Sequence, residues 1–149
     1  LAVALAVARR RDNPWGADAG AEYNRPQRAR SRNLESPRAH TMMQIDTALY
    51  ESVNQLAETL MDAAEKDQHN RYFDLYAELE ALAEEIKETE KDHPYVLETL
   101  GDFTLDDEDA IDVYERALEL ADALNLPECR ASIQLAIADR YLEIGDHEA

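Results

Sequence analysis

The sequence predicts an all-α protein in which antiparallel helical hairpins stack on one another behind a disordered N-terminal tail. Three observations lead there. Among 149 residues there are only 4 Gly and 5 Pro, while Ala, Leu, Glu and Asp dominate, a composition that favours helices over strands. From Gln44 onward apolar residues recur with the 3.6-residue period of a helix face. The breaks between periodic stretches are short, so consecutive helices must run antiparallel.

The chain divides near Met42-Met43. Residues 1–43 hold eight Arg, no Lys and four acids, a net charge of +4. Residues 44–149 hold seven bases and 29 acids, a net charge of −22. The first segment lacks an apolar period and contains Pro14, Pro26 and Pro37, so a disordered basic tail is expected, with Trp15 exposed in it. Its opening LAVALAVA is too short to span a bilayer and is followed by three arginines. Two readings stand for it. It is the remnant of a signal or anchor segment, with Ala6-Val7-Ala8 in the form of a cleavage site, or it is an extension upstream of a start at Met42 or Met43.

Asp46 or Thr47 caps the first predicted helix, whose stripe is Leu49, Val53, Leu56, Leu60 and Ala63 or Ala64. A polar break at residues 66–70 precedes a second helix from about Arg71 to Lys91, with Tyr72, Leu75, Tyr76, Leu79, Leu82 and Ile86 inward. Pro94 separates it from a short third helix carrying Val96, Leu97, Leu100 and Phe103. The acids of residues 106–109 open a fourth helix, where they complement the positive end of the helix dipole, and it continues through Leu124. Asn125-Leu126-Pro127 turns the chain into a fifth helix, with Pro127 in its first turn and Gly145 as its stop. Since the chain ends where another helix is due, the fifth helix is expected to keep an uncovered apolar flank, and the domain over 44–149 to be truncated at its C-terminus.

The spacing of small and aromatic residues in the last two helices is specific. Ala110, Tyr114 and Ala117 share one helix face, with Leu118 beside them, and Ala138, Tyr141 and Gly145 follow in a similar order. Small residues at such positions let helices approach closely while tyrosines fill the gaps between them. This pattern resembles the tetratricopeptide repeat, a helix–turn–helix unit of about 34 residues. The first triplet resembles the second helix of one repeat and the second triplet the first helix of the next, over residues 95–149. Leu100-Gly101 resembles the family's Leu-Gly pair but lies about three residues too close to Ala110, and the longer fourth helix corresponds to long-helix variants. Residues 45–91 keep only Leu56-Ala57 as an echo, so that helix pair is either a divergent repeat or a packed hairpin outside the repeat pattern.

The resemblance implies a short solenoid whose first helices line a concave groove for a peptide or partner segment. Carried onto this chain, the groove positions are Ser132, Leu135, Asp139, Leu142 and Glu143 on the fifth helix, and Tyr95, Glu98, Asp102 and Leu105 on the third. Their mixture of carboxylates and apolar contacts implies a basic or amphipathic protein partner. The net charge of the acidic segment points away from nucleic acid and from anionic membrane for the folded domain.

No reactive constellation competes with that reading. Glu90-Lys91-Asp92-His93 has the Glu-x-x-His spacing of carboxylate-bridged metal bundles, but such a site needs two of these motifs and two further inward Glu residues. The acids from Asp106 to Asp109 lack the alternation and the glycine of a calcium loop. Glu84, Glu85, Glu88 and Glu90 are read as a solvated face. His69, His93 and His147 fall at expected loop positions, and His40 lies in the tail. Cys129, the single cysteine, sits on a helix as a small, partly buried apolar residue. The expectation is therefore an adaptor or scaffold rather than an enzyme, with no cofactor and no metal, in the cytoplasm. The alternative is a regulatory or self-associating helical module of a larger protein whose catalytic part lies outside this chain, with self-association through the uncovered last helix.

Overall fold

The computed structural model describes residues 45–148, with side chains to residue 145. The basic tail, Trp15, His40, the LAVALAVA run and the start at Met42 or Met43 all lie outside those residues. So does the side chain of His147. Among the described residues the secondary structure is five helices and no strand: α1 Thr47–Glu65, α2 His69–Ile86, α3 Pro94–Phe103, α4 Asp107–Ala123 and α5 Pro127–Glu148. No described helix is long and apolar enough to cross a membrane.

Local chemistry explains most of the boundaries. Asp46 caps α1, its Oδ1 accepting from the Leu49 amide at 3.0 Å, and Asp106 caps α4 by accepting from the Asp109 amide at 2.9 Å. The links α1–α2 and α4–α5 close in the same way. The Gln68 amide donates to the Ala63 carbonyl and the Leu126 amide to the Ala121 carbonyl, each at 2.9 Å. Between them Asp67 (φ 54°) and Asn125 (φ 55°) occupy the left-handed region. This is the Schellman closure, made with Asp and Asn in place of glycine.

Two predicted ends are corrected. Helix α2 stops at Ile86 rather than Lys91, because Glu88 turns left-handed (φ 62°) and its amide donates to Asp92 Oδ2 at 3.0 Å. Glu88 and Glu90 thus lie in a loop rather than on the face of α2. Helix α5 runs through Gly145 to Glu148 instead of ending there. The glycine does not adopt a positive φ, and nothing lies within 4 Å of where its Cβ would be, so neither a turn nor a close approach uses it.

Each helix packs on the next, and α3 also packs on α1 and α5. The ten residues of α3 are all buried, which makes this short helix the axis of the molecule. The α1–α2 hairpin is filled by apolar groups: Val53, Ala57, Leu60, Ala63 and Leu79 are fully inside, with Ala83 and Ile86 nearly so. Around α3 the interior changes character. Glu98, Thr99, Asp102, Thr104 and Arg140 are buried there among Phe103, Tyr114 and Ile133.

Candidate partner-binding site

The predicted groove residues separate into two groups. Those on α3 belong to the interior. The Tyr95 hydroxyl donates to Asn54 Oδ1 on α1, and its ring lies 5.3 Å from that of Tyr50. Glu98 accepts from the Ser132 hydroxyl on α5, and Asp102 accepts from the Tyr114 hydroxyl on α4 at 2.6 Å. These side chains tie α3 to its neighbours and face no solvent, so a groove lined by Tyr95, Glu98 and Asp102 is not open to a partner. Ser132, half-buried, is spent on the same internal contact. Leu105, in the α3–α4 link, is exposed.

The rest of the predicted set, all on α5, faces outward. Leu135 is 64% exposed and Leu142 is 68% exposed, two turns apart on one face. Asp139 and Glu143 are half-buried along one edge of that face. The heptad spacing of Ala131, Leu135, Ala138, Leu142 and Gly145 places small and large residues alternately along the exposed stripe.

The packing set is likewise divided. Ala110, Tyr114 and Ala117 are fully buried, and Leu118 packs half-buried against the core. Gly101 is where α3 and α4 come closest, since a Cβ there would meet Tyr114 Cε1 at 2.6 Å. Ala138, Tyr141 and Gly145, by contrast, do not sit between helices. Tyr141 is 56% exposed, and Ala138 and Gly145 lie open as well. The inward face of α5 is instead Cys129, Ile133, Ala136 and Arg140, turned away from the predicted register.

Arg140 is the residue that reasoning from the sequence did not find. Only 2% exposed, it donates to Asp107 Oδ1 at 2.8 Å and to the carbonyls of Gly101 at 3.0 Å and Thr104 at 2.8 Å. The guanidinium therefore satisfies carbonyls at the negative end of α3 while pairing with the first residue of α4. Burial acts to lower its pKa, but the Asp107 contact and neighbouring Tyr114 outweigh it and the pKa is raised. The available signal was spacing: Ile133, Ala136 and Arg140 fall at the interval of an inward face.

The remaining chemistry-bearing residues have structural roles. His93 is buried rather than a surface loop group, and its Nδ1 accepts from the Tyr95 amide at 3.1 Å as the N-cap of α3. Burial holds its pKa down to about 4, so the imidazole is neutral at physiological pH. Cys129 is buried, and burial pushes its thiol up to about 12, with Glu98 and Glu128 adding to the shift, which keeps it protonated and inert as a nucleophile. Among the described residues no group of three or more His, Cys, Asp or Glu is placed to hold a metal ion. Comparison with protein-family models, with curated proteins and with solved structures finds no match for this chain.

Proposed function

We propose that this chain is a protein-interaction module of the tetratricopeptide-repeat kind, an adaptor that holds a peptide or partner segment along α5. The observation that carries the reading is the pair Leu135 and Leu142, exposed on one face beside Asp139 and Glu143. Isolated apolar residues on a surface need no explanation, but a stripe at helical spacing with a charged edge is what helix-in-groove recognition uses. The order of helix contacts supports stacked hairpins: each helix meets its successor, and α1, α3 and α5 meet in turn. The approach of Tyr114 to Gly101 supports it too, being a small–aromatic contact of the sort the repeat resemblance implies. The proposed concave surface is narrower than the sequence suggested, since α3 contributes no open side chain from Tyr95, Glu98 or Asp102.

The test is a binding measurement on a basic peptide library displayed against the 149-residue chain. Reversing Asp139→Lys and Glu143→Lys together should weaken the retained peptides about tenfold while leaving helicity unchanged, because rim charges steer and select more than they hold a fold together. Peptides retained equally by this variant would remove the α5 face from the function.

A further inference from the structure

We infer that the open face of α5, formed by Leu135, Ala138, Tyr141 and Leu142 and edged by Asp139 and Glu143, seats a basic amphipathic helix of another protein, laid against α5 as α4 is laid against α3. The inference rests on the proposed interaction function and names the partner for that face. Its first support is an internal equivalence. Ser132 meets Glu98 near the middle of α3, and Arg140, farther along α5, meets Gly101 and Thr104 farther along α3, so the two helices run in the same direction. A shift of 37 positions then lays Ile133, Ala136 and Arg140 over Val96, Thr99 and Phe103, all buried, and lays Ala138 over Gly101. On α3 that small residue is covered by the Tyr114 ring of α4. On α5 the corresponding residue is open, with Leu135 and Leu142 beside it as the walls of a hole for an incoming knob.

Charge then selects among the occupants such a face could take. Residues 44–149 carry 29 acids against seven bases. Five of those seven bases (Lys66, Arg71, Arg116, Arg130 and Arg140) are already paired with carboxylates of the same chain. A second copy would bring Asp139 and Glu143 against an equally acidic surface, whereas lysines or arginines along a foreign helix meet opposite charge at that edge. The face is long enough for several turns of partner, since α5 has 22 residues, about 33 Å of helix.

The probe is a fluorescein-labelled synthetic peptide of α4's length, with an Ala-x-x-x-Tyr-x-x-Ala stripe and lysine at the flanking positions, titrated into the full 149-residue chain by anisotropy. Binding is expected, and Leu135→Glu and Leu142→Glu should each weaken it about tenfold, the loss typical of a central apolar contact. Phe73→Glu, at an apolar position on α2 that is also more than half exposed, should leave it unchanged. Both leucines are mostly solvated, so circular dichroism of the variants should match the parent and exclude unfolding as the cause. A glutamate-flanked peptide that binds as well, or affinity indifferent to both leucine changes, overturns the inference. So does a doubled mass in light scattering that Leu142→Glu halves, which assigns the face to a second copy. Cross-linking of residues 1–44 to α5 in a chain that excludes the peptide overturns it as well. A proline placed mid-peptide separates this inference from the function it rests on: undiminished binding of that peptide removes the helix but keeps segment capture.

Discussion

The α1–α2 hairpin and the α3–α5 unit are closed by the same kind of turn yet filled in opposite ways. Between α1 and α2 the fully buried side chains are aliphatic: Val53, Leu60 and Leu79, with Ala57 and Ala63. Around α3 the same burial is applied to two carboxylates, two threonines and a guanidinium. An apolar interior is non-directional and tolerates any filling of the right volume. A polar one stands only while every donor and acceptor keeps its partner, since an unsatisfied buried group costs far more than its bond contributes. The difference teaches that the first region is specified by pattern, and the second by particular atoms.

The widest gap between the two should appear on truncation. Arg140→Ala removes the donor to Asp107 and to the Thr104 carbonyl, leaves the Gly101 carbonyl with only the Thr104 amide, and should cost about 4 kcal/mol in urea unfolding, as for other broken buried pairs. Leu60→Ala should cost about 3 kcal/mol, and the conservative Leu60→Met about 1 kcal/mol. Arg140→Lys is the sharper comparison, because it keeps the charge and loses the fork that reaches several acceptors at once. If Arg140→Lys is as mild as Leu60→Met, the two interiors obey the same rules and the distinction fails.

Next in size is a pH effect confined to the α3 unit. The His93 pKa is held near 4 when folded, below its ordinary 6.5, so the unfolded chain binds the extra proton between those values. Stability is thus fully present above pH 6.5 and should fall by about 3 kcal/mol as the pH drops toward 4. In a His93→Asn variant, which keeps a capping side chain, the slope between pH 6.5 and 5 should flatten. An unchanged slope would place the acid sensitivity elsewhere.

Smaller again is the contact between α3 and α4. Gly101→Ala drives a methyl into the Tyr114 ring and should cost about 2 kcal/mol, the usual range for overpacking. The equivalent change on α5, Ala138→Leu, should cost almost nothing because that position is open. Equal penalties would contradict the correspondence between the two helices.

What the sequence revealed follows the same divide. The stripes of α1 and α2 were legible because aliphatic residues at helical spacing have only one sensible place to go. Asp46 and Pro94 marked helix starts by known chemistry. In α3 and α5 the rule of charge outward misleads: Glu98, Asp102 and Arg140 are inside, while Tyr141 and Leu142 are out. Of the residues assigned to a groove, Leu135 and Leu142 lie exposed with Asp139 and Glu143 half-buried beside them, whereas Tyr95, Glu98 and Asp102 turn inward. No local pattern announces that a carboxylate will be matched by a hydroxyl or an arginine more than thirty residues away, as Glu98 is by Ser132 and Asp107 by Arg140. Gly145 misled for a different reason. A glycine late in a helix signals a stop only when the chain uses its left-handed freedom, and this one is simply continued through.

The arginine clasp also governs how the molecule comes apart. With one side chain of α5 fastened to the corner where α3 gives way to α4, α5 cannot peel off without breaking an ion pair and the bonds to two carbonyls. A helix held by packing alone can open locally at low cost. Here the amide hydrogens around Arg140 should instead exchange at the same free energy as those of α3, making α3, α4 and α5 a single cooperative unit.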